Sequence, residues 1–297
     1  MNDSWRVLLA MGNHGLAAQE RHGGEGAPEP LREIRFRRRI GRPLPGDRVV
    51  LDEAGTVTEI LPRHNVFGRG VRGLFQPMAA NLDTLLVVIA PEPAPSPVLV
   101  DRYLAAARIA AIEPVLVINK CDLPLPSTAP FNALDSLNCP IHRTMALSDD
   151  RLDGLARRID RGLHLLAGQS GVGKSTLANR LLPDLDQQTE TLSRATGKGR
   201  HTTTHARLFR TPGGGWLADT PGVWEYGLWR MPETELVRAF PEFSGLPGCR
   251  FRDCRHAGEP GCAVEAATAS GDLAPGRLDA WRKLLAEQHR LAEGRPE

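Results

Sequence analysis

Gly168-Gln169-Ser170-Gly171-Val172-Gly173-Lys174-Ser175 fits the pattern G-x-x-x-x-G-K-[ST] at every fixed position. Its glycines allow backbone amides to turn inward around phosphate oxygens. Lys174 can reach the terminal phosphates, and the Ser175 hydroxyl can ligate Mg²⁺. Thr176 follows directly and completes the expected phosphate-binding set. An apolar run at 163–167 enters the loop and a helical pattern over 177–182 leaves it. The N-terminus of that helix adds partial positive charge where the phosphates would sit. The loop implies a nucleotide without saying which base.

A second group names the base. Asn119-Lys120-Cys121-Asp122 follows the apolar run 115–118. Guanine presents two adjacent donors, N1–H and its exocyclic amine, and one carboxylate at Asp122 can accept from both. Adenine has no such pair, and an unpaired buried polar group is costly, so a single carboxylate can discriminate strongly. The Lys120 stem can cover the base plane, and Asn119 can pin loops together.

Asp219-Thr220-Pro221-Gly222, after the strand-like 216–218, is similar to the GTPase segment whose Asp holds Mg²⁺ through water and whose Gly amide senses the γ-phosphate. Between it and the phosphate loop lies the basic stretch 197–205, with Arg200, His201 and Thr202-Thr203-Thr204. One threonine there can complete the Mg²⁺ shell; Thr203 is taken, although the sequence does not separate the three. The water-orienting glutamine of Ras-like enzymes is absent, since Val223 and Trp224 follow Gly222. His201 is the candidate to position water, and Arg200 could instead stabilise charge. The candidate catalytic set is therefore Lys174, His201, Asp219 and Gly222.

Cys249-x₄-Cys254-x-His256-x₅-Cys262 supplies three thiolates and an imidazole within fourteen residues. A closed Cys₃His set is a structural zinc pattern, one ion per chain. The surrounding segment is rich in Pro and Gly and has little core of its own, so a metal would help hold it. Cys121 and Cys139 lie outside this group.

The elements that must position these residues follow from the rest of the chain. It has 297 residues, 41% hydrophobic and 24% charged, with a net charge of +2. These values fit a globular protein of two or three domains and exclude a polycation. No apolar run approaches the roughly 18 residues of a membrane span, and 7–11 is short for a secretory signal, so a cytoplasmic protein is expected. Glycines and prolines crowd residues 1–30, read as a mobile extension. Residues 31–75 hold short strand patterns divided by turns, read as a small β-barrel. Six arginines at 32, 35, 37, 38, 39 and 42 face a single acid, Glu33. They fit nucleic-acid phosphates or an ordinary solvated strand face.

From 76 to 235 strands and helices alternate (84–90, 98–112, 115–118, 163–167), with a proline-rich loop at 91–97. This predicts a mostly parallel α/β sheet. The final stretch, 236–297, holds the metal group and a helical pattern at 278–292. The base-reading motif precedes the phosphate loop, the reverse of ordinary GTPases, so a circularly permuted domain is expected. A small-molecule kinase using ATP is disfavoured by Asp122. An RNA adaptor with a degenerate site is disfavoured by the intact Lys174, Ser175 and Asp219.

In combination these features resemble one family, the small-ribosomal-subunit-dependent GTPases RsgA, also called YjeQ. The matching residues are G-D-x-V at 46–49, N-K-C-D, G-Q-S-G-V-G-K-S-T, R-H-T-T-T-H at 200–205, D-T-P-G, and F-P-E-F at 240–243 before C-R-F-R-D-C-R-H. The resemblance spans roughly residues 35–290. It implies an OB-fold, a permuted P-loop GTPase domain and a small, mainly helical zinc domain. It also implies GTP hydrolysis to GDP with Mg²⁺, stimulated by the small (30S) ribosomal subunit, in its late maturation. The 16S rRNA is an implied partner, and a monomer is expected. The family's fifth motif, usually S-A, is blurred, with Thr144-Met145-Ala146 the nearest candidate.

Overall fold

The computed structural model describes residues 4–20, 30–148, 152–186, 188–189, 206–219 and 226–294. Trp5–Met11 (β1), His14–Gln19 (β2), Leu31–Arg35 (β3), Arg48–Leu51 (β4) and Val57–Ile60 (β5) form an antiparallel sheet in the order β3-β2-β1-β4-β5. A bridge between Arg35 and Thr56 joins its two outer strands, so the sheet closes on itself. This is the five-stranded barrel of an OB-fold. Val7, Ala10, Ala17, Ile34, Phe36, Val49 and Val57 fill its interior. A register shift between Val7 and Leu9 breaks the two-residue alternation of β1. It lets Val7 and Ala10 both face inward while Leu8 joins the central core.

The barrel therefore starts at Trp5, so the expected mobile extension over 1–30 does not hold for residues 5–19. Gly12 occupies the turn between β1 and β2 at φ 56°. Residues 1–3 and 21–29 lie outside the described residues.

Val66–Val71 (β6) and Leu74–Ala80 (β7) form a hairpin in which Gly70 sits opposite Phe75. A domain edge at 75 would cut this hairpin. Its partners lie further along the chain. The Gly70 N–H donates to Gly227 O at 2.8 Å, and the Arg230 N–H to Gly73 O at 2.9 Å.

The central sheet has the order β10-β9-β8-β11-β13-β12. Its strands are Thr84–Ile89 (β8), Glu113–Ile118 (β9), Ile141–Arg143 (β10), Leu163–Ala167 (β11), Arg207–Arg210 (β12) and Trp216–Asp219 (β13). Only β12 runs antiparallel to its neighbour. All six residues of β8 are buried, the pattern of a parallel strand covered on both faces. Pro97–Ile109 (α1), Asp153–Ile159 (α2) and Lys174–Leu181 (α3) are helices of this α/β unit.

Beyond the short helix Glu233–Leu236 (α4), Ala263–Ser270 (α5) and Pro275–Ala292 (α6) make the C-terminal module. α6 lies against α1, where Arg102 pairs with Glu287 at 2.9 Å and Arg277 with Asp101 at 3.1 Å. No helix among the described residues is long and apolar enough to cross a membrane.

Candidate functional site

In a parallel sheet every loop following a strand emerges at the same edge, and ligands bind there. β9 ends at Ile118 and delivers Asn119–Asp122; β11 ends at Ala167 and delivers the phosphate loop; β13 ends at Asp219. Strand β8 separates β9 from β11. The two motifs nevertheless touch across it. Asn119 Nδ2 donates to Val172 O at 2.9 Å inside the phosphate loop, and Asn119 is only 1% exposed.

The other end of that amide gathers a third segment. Asn119 Oδ1 accepts from the Ala146 N–H at 3.1 Å and from the Thr144 hydroxyl at 3.2 Å. Residues 144–146, the nearest candidate for the fifth motif, are thus brought to Asn119. Lys120 adopts φ 58° and its Nζ donates to Glu92 O at 2.8 Å. Cys121 is half-buried and Asp122 is exposed.

The phosphate loop is built on glycine at close quarters. Gly168 has φ 138°, and a Cβ there would lie 2.2 Å from Val88 O. A Cβ on Gly173 would lie 2.3 Å from Asn119 Nδ2, so the inter-motif contact itself requires glycine. α3 begins at Lys174. Lys174 is 6% exposed, and its Nζ donates to Gln169 O at 2.7 Å across its own loop. Burial lowers the Lys174 pKa and the charge of Asp219 opposes that shift. Ser170 and Thr176 are half-buried, Ser175 and Gly171 exposed.

Asp219 lies beside Leu166 on β11 and opposite Arg207 on β12. Arg207 is buried, which lowers its pKa, and Asp219 again opposes the shift. Sequence reasoning missed Arg207, because a lone arginine in a short strand carries no motif. Residues 190–205 and 220–225 lie outside the described residues. That holds for His201, Arg200, Thr202, Thr203, Thr204 and Gly222, so nothing is assigned to them geometrically.

The four expected metal ligands do converge. One donor atom from each of Cys249, Cys254, His256 and Cys262 lies within 4.8 Å of the others. His256 Nδ1 is 3.6, 3.7 and 3.4 Å from the sulfurs of Cys249, Cys254 and Cys262. Tetrahedral bonds of ~2.0–2.3 Å imply donor separations of about 3.5–3.8 Å, so the set fits one four-coordinate ion. The groups around the four donors are organised as well. Glu259 accepts from the Arg255 and Ala257 amides at 3.1 and 2.8 Å. Trp281 Nε1 donates to Arg255 O at 2.7 Å, and the Ala263 amide points at Cys249 Sγ, 3.3 Å away.

A family model described as RsgA GTPase matches residues 60–229. A Pseudomonas aeruginosa protein named Small ribosomal subunit biogenesis GTPase RsgA is 41% identical over 273 residues, covering 88% of this chain and 80% of its own length. A Chromohalobacter salexigens protein of the same name is 44% identical over 245 residues, covering 80% and 72%. Among solved structures, YjeQ from Thermotoga maritima superposes with a TM-score of 0.76 at 27% identity, over 96% of this chain and 98% of that one. YloQ, described as a circularly permuted GTPase, gives 0.73 at 26% identity, over 99% and 96%. The motifs, their reversed order and their meeting at one sheet edge agree with these likenesses: the chain belongs to the RsgA GTPase family.

Proposed function

We propose that the chain is a GTP hydrolase that binds the small (30S) ribosomal subunit, assists its late maturation and is stimulated by it. The observation that carries the nucleotide reading is the Asn119 Nδ2 contact to Val172 O at 2.9 Å. It joins the base-reading and phosphate-binding loops, distant in sequence, at one corner. Asp122 then reads guanine, the Lys120 stem covers its plane, and Cys121 continues that loop. Residues 168–176 hold the phosphates, with Lys174 turning from Gln169 O to the terminal phosphate oxygens.

Phosphoryl transfer to water needs positioning and charge stabilisation more than strong base chemistry. Ser175, Asp219 and Thr203 are the proposed Mg²⁺ ligands, Asp219 through water. Bound there, the ion would neutralise charge on the β- and γ-phosphates. Gly222 senses the γ-phosphate and His201 orients the attacking water. Zn²⁺ at Cys249, Cys254, His256 and Cys262 would hold the C-terminal module together.

The ribosomal partner is supported by the names of the relatives and by surface charge. Arg35, Arg37, Arg39 and Arg42 are exposed on the barrel side, where they can meet 16S rRNA phosphates. The chain acts as a cytoplasmic monomer in this reading. An N-terminal barrel, a permuted GTPase domain ending at 235 and a metal module over 236–297 complete it.

The deciding experiment is GTP turnover with and without small ribosomal subunits, for the wild type and Lys174→Ala. Subunits should raise wild-type turnover, and the substitution should lower kcat/KM by about 100-fold or more. Equal turnover of GTP and ATP, or a Lys174→Ala enzyme within about threefold of wild type, would defeat the reading.

A further inference from the structure

Between β8 and α1 the chain carries prolines at 91, 93, 95 and 97. Four prolines in seven residues make a semi-rigid strap, one that passes on displacement instead of absorbing it. Pro97 opens α1, so the strap and the helix are continuous.

At its near end the strap is fastened to both nucleotide loops by its own backbone carbonyls. Lys120 Nζ donates to Glu92 O at 2.8 Å. Gln169 Nε2 donates to Pro93 O at 2.8 Å, with Ala94 O at 3.4 Å. Both partners of Gln169 are acceptors, so only the amide NH₂ can face them. Gln169 is 9% exposed although it stands in a loop built to meet a ligand. Its side chain is committed to the strap.

A few residues beyond the strap, α1 is fastened to the C-terminal module. Arg277 is 4% exposed at its side chain and donates to Asp101 at 3.1 Å and to Glu242 at 2.6 Å. Arg102 pairs with Glu287 at 2.9 Å. The next residue, Tyr103, stacks on Tyr226 at 4.2 Å. One helix thus touches α6, the chain leaving the D-T-P-G segment and, through the strap, both nucleotide loops.

We propose that α1 and the proline strap couple the docking state of the C-terminal module to the nucleotide site, with Gln169 as the positioning residue that receives the coupling. The route is separate from the direct chain connection between Asp219 and α4. It rests on the GTPase reading above for what is being coupled. Coupling of this kind is reciprocal: if docking alters the nucleotide site, the nucleotide must alter the docking of α6.

Two measurements test it. The first needs no ribosome and follows hydrogen exchange with GDP or a non-hydrolysable GTP analogue at saturating concentration. Protection of 97–109 and 275–292 should change with the nucleotide in the wild type and lose that change in Gln169→Leu. A wild type with no response at 275–292, or a response that persists in Gln169→Leu, overturns the proposal.

The second is a double-mutant cycle on the small-subunit-stimulated rate, using Asp101→Asn, Gln169→Leu and both together. Each single change should lower stimulation about tenfold, and the pair should do no worse than either alone. Asp101→Asn keeps a carbonyl acceptor and should leave unstimulated turnover and bound metal as in the wild type. Losses that multiply, or full stimulation in either folded single variant, overturn it. If wild-type turnover fails to respond to subunits, the ribosomal reading falls by itself and the exchange measurement still decides the coupling.

Discussion

Asn119 and Asp122 belong to one motif, and their burial separates them. Asn119 is 1% exposed and satisfies Val172 O, the Thr144 hydroxyl and the Ala146 amide together. Its removal strands buried polar groups at about 1–3 kcal/mol each. Asn119→Ala should lower urea stability by ~2–3 kcal/mol and weaken GDP binding as well. Asp122 is exposed, so Asp122→Ala should leave the urea midpoint unchanged and abolish the preference for guanosine over adenosine nucleotides in competition titrations. Asp101 offers a pH test. Burial, only partly offset by Arg277, raises its pKa to about 6. The folded protein therefore holds a proton that the unfolded chain releases near pH 4. Stability from this group falls as pH rises from about 4 to 6, by about 2–3 kcal/mol at most. The stability difference between Asp101→Asn and wild type should grow across that window. A difference that is flat with pH contradicts the assignment.

At the scale of elements, the phosphate loop depends on how closely it passes β8. Gly168→Ala puts a Cβ 2.2 Å from Val88 O at a φ of 138°. A backbone clash cannot be relieved by a rotamer change, so the loop must move away from the sheet. The variant should lose nucleotide binding in calorimetry while the barrel, whose core is built from other residues, still folds. The barrel has its own test. The exposed arginines at 35, 37, 39 and 42 surround β3 and the turn after it. If they meet RNA phosphates, replacing two of them with Gln should weaken small-subunit binding and flatten its salt dependence by about 0.7–0.9 log units for each phosphate no longer neutralised. Unchanged salt dependence would assign these arginines to a solvated face.

At the scale of the whole molecule, a metal held by the Cys₃His group is expected to steady the C-terminal module that packs on α1. Cys249, Cys254, His256 and Cys262 tie together a segment that is poor in regular structure. Held among Cys249 and Cys262, the Cys254 thiol is pushed up to about 12, with desolvation the largest cause. Metal binding must displace protons, so affinity should fall as pH falls. Chelation or Cys262→Ser should release about one zinc per chain, lower Tm and change the near-ultraviolet signal of Trp281, which packs on His256 at 5.8 Å. The sequence by itself determined the phosphate-loop pattern, the N-K-x-D pattern, their reversed order and the Cys₃His group that the fold brings together. Each of these is a short-range pattern whose chemistry demands particular residue types at fixed spacing. It also marked the apolar runs 84–90, 115–118 and 163–167, which fall on β8, β9 and β11, because strands covered on both faces read as largely apolar runs. Only the tertiary structure decided that β1 and β2 belong to the barrel, that the hairpin at 66–80 leans on Tyr226, and that Gln169, the strap, α1 and α6 form one connected path. Those interactions join residues tens to hundreds of positions apart through backbone carbonyls and paired charges, and a one-dimensional pattern records neither.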